Sequence, residues 1–308
     1  MDLVNALTID VEDYFQVTAF EHACPRTQWS QMPSRVEANT RKLLEVLAGC
    51  GVKATFFILG WTARQFPHLV RDIHTAGHEL GCHSFWHRLV YRQTRRQFRS
   101  DLRQACHAIE DAAGQRVYAY RAPSFSIIRR SWWALEVLVE EGFTVDSSVF
   151  PVRHDRYGVP DALPNPHEIA TPAGTIWEFP LSSVGRGRWR LPVSGGGYFR
   201  LYPLAVTRAA LAWINRQGRP FVFYLHPWEI DPHQPRLAGV SRRALWRHTV
   251  GLSHTLPRLV RLLKTFRFGT LTASLAAYRS THGIDKQELH TATASRPSRR
   301  PSTSLTQP

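Results

Sequence analysis

Seven short apolar runs, five of them carrying ionisable residues at their ends, restrict the fold of this chain more than anything else in it. They are VNALTIDV from Val4, KATFFIL from Lys53, HELGCHS from His78, VYAYRAP from Val117, FTVDSSV from Phe143, TIWEFPL from Thr175 and FVFYLHP from Phe221. Helical patterns lie between them. Ser34 and Glu37 read as a capping box opening a helix that carries Leu43, Leu44 and Leu47 and stops at Gly49 or Gly51. Further helices fit 62–76, 94–113, 130–141 and 203–216. Strand and helix in this alternation argue for parallel strands joined by crossover helices. About seven such units in some 280 residues predict a distorted or incomplete (β/α) barrel, with its active site at the C-terminal ends of the strands. The catalytic domain is expected over 1–280, with irregular insertions at about 151–174 and 186–202. Residues 281–308 read as a basic Ser/Pro/Arg-rich tail without a core, expected to be disordered.

Composition narrows the class. Hydrophobic residues at 43% with ten Trp fit a globular protein. No stretch approaches the roughly 20 apolar residues of a membrane span, and MDLVNALTIDVED has no signal-peptide pattern, so the expected location is the cytoplasm. Cys24, Cys50, Cys82 and Cys106 form no CxxC pair and read as reduced thiols. The net charge of +15 asks for an account. Part of it sits in the tail. Another part is Arg88, Arg92, Arg96, Arg99 and Arg103, whose spacing predicts a basic stripe on one helix, with Phe98, Leu102, Ala105 and Ile109 as its buried side. Such a face is either solvated or attracted to an anionic glycan or membrane surface. No motif points to nucleic acid.

Ionisable residues gather where the apolar runs end: Asp10 with Glu12 and Asp13, then His83, Arg121, Asp146 and His226. Three carboxylates within TIDVED repel one another unless a cation or a proton lies between them. HSFWH, from His83 to His87, supplies two imidazoles four apart, able to face one point if the strand runs into a helical turn. Along the first strand Leu7, Ile9 and Val11 should face the helices while Thr8, Asp10 and Glu12 point inward.

In order along the chain, TIDVED, GHELGCHSFWH, YRAPSFS, VDSSV and FYLHP resemble the polysaccharide deacetylases of the NodB-homology type, carbohydrate esterase family 4. LTIDVEDYFQV with PVSGGGYFRLYP resembles, more narrowly, the subfamily encoded with bacterial exopolysaccharide and exosortase (PEP-CTERM) loci. The resemblance implies removal of N-acetyl groups from an acetylated amino-sugar polymer or oligosaccharide. It also implies a divalent metal, zinc first with cobalt or nickel as substitutes. His83 and His87 would be ligands together with a carboxylate, Glu12 by the strand alternation, or Asp13 if the strand breaks early. Asp10 would be the general base held by Arg121, and His226 the general acid with Asp146 fixing its tautomer. A backbone N–H near Ser124 would complete an oxyanion hole, and Phe125, Trp86 or Trp228 would stack on sugar. A cyclic-amide hydrolase on the same scaffold and a glycan-binding protein without turnover are the competing readings.

Overall fold

All seven apolar runs are strands of one sheet. The structure, a computed structural model, describes residues 3–284. Its strands are β1 (Asn5–Val11), β2 (Thr55–Ile58), β3 (Glu79–Cys82), β4 (Ala119–Tyr120), β5 (Val145–Asp146), β6 (His167–Thr171), β7 (Gly174–Glu178), β8 (Ser183–Val184), β9 (Leu191–Pro192), β10 (Val222–Leu225) and β11 (Phe268–Gly269). The main sheet runs β10-β1-β2-β3-β4-β5-β7-β6, with β11 beside the start of β1. Only its last pair, β6 with β7, is antiparallel. The sheet is curved like a barrel but does not close. Irregular chain spans the gap between β7 and β10: Ser182 accepts from the Val193 N–H at 3.1 Å, and its hydroxyl takes the Val222 N–H at 2.8 Å.

Alternation along β1 divides the core as the pattern requires. Leu7, Ile9 and Val11 join the outer cluster under the helices, whereas Ala6, Phe57, Val145, Val222 and Tyr224 fill a smaller inner cluster. Above that inner plug, Thr8, Asp10 and Glu12 point into the barrel mouth. They are fully or almost fully buried.

The helices are α1 (Val36–Gly49), α2 (Gly60–Gln65), α3 (Pro67–Thr75), α4 (Arg95–Ala113), α5 (Trp133–Glu140), α6 (Gly196–Leu201), α7 (Leu204–Arg216), α8 (Arg242–Thr249), α9 (Leu252–Leu263) and α10 (Leu271–Thr281). Several depart from the sequence reading. The helix expected over 62–76 is broken at Phe66 (φ −131, ψ 62), because a residue preceding proline is driven out of the helical region. The Ser34/Glu37 capping box does not form. Ser34 donates instead to Asp13 at 2.6 Å, and Glu37 faces Arg41 and His68. The capping box that does form is Thr94 with Gln97, at the start of α4.

The predicted basic stripe is also corrected. Arg88 and Arg92 precede α4, so they are not on the helix, and Arg92 lies 3.8 Å from Glu21. Arg99 pairs with Glu140 and Glu141, and Arg103 with Glu141 at 2.8 Å. Acids at the end of α5 and just after it therefore neutralise much of this face. The two insertions are more ordered than expected. Of 151–174, the last residues build β6 and the start of β7, and 186–202 contains β9 and α6. Its glycines have a steric reason: Gly195 (φ 126) bridges Tyr224 so closely that a Cβ would lie 2.0 Å from the Tyr224 carbonyl oxygen. The four cysteines are free thiols. No described helix is long and apolar enough to cross a membrane. Nearly all of the expected tail lies outside the described residues.

Candidate metal centre and active site

The ends of β1, β3, β4 and β10 meet at one buried point. Glu12, His83 and His87 each place a ligand atom within 4.8 Å of the other two. No helical turn brings the imidazoles together. After β3 the chain bends through two left-handed residues, Ser84 (φ 64) and His87 (φ 51), and the rings end 5.3 Å apart. Such backbone is costly for residues with a Cβ and persists where surrounding structure enforces it. Here the Phe85 and Trp86 N–H groups are held by the buried Asp101 carboxylate, at 2.6 and 3.3 Å.

The donor set fits a divalent cation such as zinc. His83 Nδ1 lies 2.8 Å from the Arg121 carbonyl oxygen, which fixes it as the donor and leaves Nε2 free to ligate. His87 Nδ1 is 3.5 Å from the Thr18 hydroxyl, and its Nε2 stands 2.9 Å from Glu12 Oε2. That carboxylate oxygen is buried and has no partner in hydrogen-bonding geometry, as expected of two ligands turned toward a shared ion. Burial would push Glu12 upward, but His87, His226 and His83 together hold it down at about 2. Burial lowers His83 to about 4. Both groups therefore have the protonation state a ligand needs.

Asp13, the alternative ligand, turns away from this cluster. Its carboxylate accepts from Ser34 Oγ at 2.6 Å and from the N–H groups of Tyr14, Arg35 and Val36 at 3.0, 2.9 and 3.2 Å, so it caps the start of α1 from a distance. Glu12→Gln should then weaken zinc binding by about 10-fold or more. Asp13→Asn should retain the ion and lose about 1 kcal/mol of stability, the usual worth of a helix cap. Zinc titration and thermal melting of both variants check this, and loss of the ion from Asp13→Asn alone would reverse the assignment.

Around the centre stand the other groups. Arg121 is completely buried and donates to Asp10 Oδ1 at 2.9 Å, Thr8 Oγ1 at 2.6 Å, and the Ser147 carbonyl and hydroxyl at 3.0 and 2.8 Å. Asp10 Oδ2 is left facing His226 Nε2 at 3.9 Å, and that nitrogen is 3.1 Å from Glu12 Oε1. Asp146 does not reach His226, contrary to expectation. Paired in register with Glu178 across β5 and β7, it stands beside that acid and Arg121 and accepts from the Ser148 hydroxyl at 2.5 Å. Burial pushes both upward, Glu178 well above the carboxylate range with Asp146 beside it adding to the rise.

Glu229 occupies the place expected of Asp146. Its Oε1 is 2.7 Å from His226 Nδ1 and its Oε2 is 2.7 Å from Arg200 Nε. Burial alone would lower His226, but Glu12, Glu229 and Asp10 raise it to about 9. The signal was present in HPWE: a proline after His226 opens a single 3-10 turn that returns Glu229 to the imidazole. Ser124 is also left-handed (φ 50), and its N–H has no partner among the described residues. Of the proposed stacking residues, Phe125 packs into the inner cluster, Trp228 lies between His226 and His248, and Trp86 is half-exposed against Trp29.

The architecture is thus a mostly parallel, unclosed (β/α) barrel whose strand ends bring together a His/His/carboxylate group able to hold a metal ion. Residues 28–140 match the family described as Polysaccharide deacetylase, and 147–276 match a domain of unknown function (DUF3473). The polysaccharide deacetylase match therefore covers a little over a third of the chain, from the turn before α1 to the end of α5. "Putative polysaccharide deacetylase YheN" of Bacillus subtilis is 32% identical over 127 residues, which is 39% of this chain and 45% of that protein. A peptidoglycan-N-acetylglucosamine deacetylase of Bacillus cereus is 32% identical over 98 residues, 32% of this chain and 36% of that one. The chain thus spans less than half the length of these curated relatives. In fold, the crystal structure of a Mycobacterium smegmatis protein, titled "putative polysaccharide deacetylase", superposes with a TM-score of 0.62 at 21% identity, covering 95% of this chain and 93% of that one. Within the two matched stretches the labour divides. The first carries His83, His87 and Arg121, and the second carries Arg200, His226 and Glu229.

Proposed function

We propose that this chain is a metal-dependent hydrolase that removes N-acetyl groups from amino sugars of a bacterial exopolysaccharide or its precursor. The observation that carries the reading is the convergence of Asp10, Glu12, His83, His87 and His226 on one buried point at the barrel mouth. A divalent ion held by Glu12, His83 and His87 would lower the pKa of water toward about 7 and polarise the amide oxygen.

The chain's own groups supply the rest. Asp10 takes the proton of the attacking water on Oδ2, because Arg121 occupies Oδ1 and orients the carboxylate. The Ser124 N–H offers a donor for the oxyanion of the tetrahedral species. His226 delivers a proton to the departing amine nitrogen as the C–N bond breaks. Glu229, itself held by Arg200, keeps that imidazole charged and in place. The exopolysaccharide assignment rests on LTIDVEDYFQV and PVSGGGYFRLYP, the second of which contains the glycines pressed against Tyr224.

Acetate release from a panel of acetylated oligosaccharides, with and without chelator, tests the reading. Activity should fall to background on chelation and return with added zinc, cobalt or nickel. Full turnover by a preparation proved free of metal would overturn it.

A further inference from the structure

Beside the candidate site lies a groove of about 520 Å³, within the range of ordinary ligand clefts. Its floor continues the active site. Trp228 stacks on His226 (ring centroids 5.1 Å apart, 19° between planes), His248 stacks on Trp228 at 4.0 Å, and Phe20 packs against His248 at 4.7 Å. Its rim carries Arg156, Arg243 and Arg247, all exposed. Arg243 and Arg247 are one turn apart on α8 and so share a face, while Arg156 comes from the loop after β5.

These guanidiniums differ from those of α4. Arg99 and Arg103 face Glu140 and Glu141, whereas no carboxylate is paired with Arg156, Arg243 or Arg247 among the described residues. Asp155 is the one acid lining the groove, and it sits 2.9 Å from His154 Nδ1. Burial holds His248 neutral, at about 3, so the groove's positive charge resides in the arginines. Arginine is the side chain best shaped to grip carboxylate or phosphate through paired N–H donors.

We propose that this groove binds an anionic substituent on the saccharide unit flanking the one whose acetyl group is removed, which makes acidic glycans the preferred substrate class. The assignment rests on the deacetylase reading for the identity of the neighbouring site. The matching chemistry comes from two sources, a uronic acid carboxylate within the polymer or the pyrophosphate of a lipid-linked precursor. All six floor and rim residues except Phe20 lie in the stretch 147–276 matched by the domain of unknown function, which on this view contributes substrate selection along with the acid.

The test uses the metal-loaded full chain and acetylated amino-sugar oligosaccharides of equal length in three forms: neutral, carrying a uronic acid, and carrying a reducing-end pyrophosphate. Calorimetric binding and acetate release are measured on each. At low salt one acidic form should bind about tenfold or more tighter than the neutral one, as expected for a hydrogen-bonded charge pair. That preference should shrink as salt rises. In the double variant Arg243→Gln/Arg247→Gln the ratio of acidic to neutral affinity should fall about tenfold, with the circular dichroism spectrum confirming the fold. The form that gains identifies the source. Equal binding of all three, or a preference that survives the double substitution, overturns the proposal. Preference for an acidic form without acetate release from any would retain the groove and overturn the deacetylase reading, and acetate release without preference would do the reverse.

Discussion

Asp10→Asn should lower acetate release by about 10² to 10⁴, the range general-base catalysis supplies, while bound zinc stays near one per chain. The separation follows from the geometry. Asp10 is not among the three residues whose ligand atoms cluster, and its Oδ1 is engaged by Arg121 rather than facing the ion site. Asparagine keeps an oxygen to accept from Arg121, so the buried guanidinium is not stranded. Removing Arg121 would be a poorer experiment. Breaking a buried pair by deleting one partner costs about 3–5 kcal/mol, and the fold would suffer along with the chemistry. Zinc content by mass spectrometry and initial rates on one substrate decide the matter. If Asp10→Asn loses zinc as readily as His83→Ala, Asp10 is a ligand and the proposed division of labour fails.

The strands were legible because each needs only four to eight residues with the right alternation, and the barrel's two concentric clusters reward that alternation directly. TIDVED is the clearest case: Leu7, Ile9 and Val11 outside and Asp10 and Glu12 inside follow from period two alone. His83, Arg121 and His226 were legible for a related reason, since each directly follows a strand and parallel strands open on one face. Partners that depend on which strands adjoin were not. Read as a line, the chain assigns Asp146 to His226, but β5 lies beside β7, and the adjacent acid is Glu178. Local signals also misled where a distant group intervened. Ser34 and Glu37 have the spacing of a capping box, yet Asp13 reaches across from the end of β1 to take the Ser34 hydroxyl and the Arg35 and Val36 N–H groups. The arginine spacing around α4 ignored both the true helix start and the acids at the end of α5 and just after it.

Glu229→Gln should reduce kcat by about 10², the lower end of what a positioned general acid contributes, with little change in KM. His226 can act as an acid only while it holds its proton. Burial works against that proton, and Glu12, Glu229 and Asp10 outweigh burial to raise the imidazole to about 9. Glutamine can still accept from Nδ1–H but brings no charge, so the pKa of His226 should fall. With the pKa raised, the acid function is intact below it and is lost as pH rises through it. Lowering the pKa therefore moves the alkaline limit of the kcat profile to lower pH. Arg200 is also affected, but it still donates from Nη1 to the carbonyls of Arg247, His248 and Val250 at 3.3, 2.7 and 2.8 Å, which limits the structural damage. A purely structural role for Glu229 would lower the melting temperature and the amount of active enzyme while leaving the alkaline limit where it was. The pH profile of kcat in the folded variant separates these outcomes: an unmoved alkaline limit would remove Glu229 from the proton path and leave His226 to be held by Glu12 and Asp10 alone.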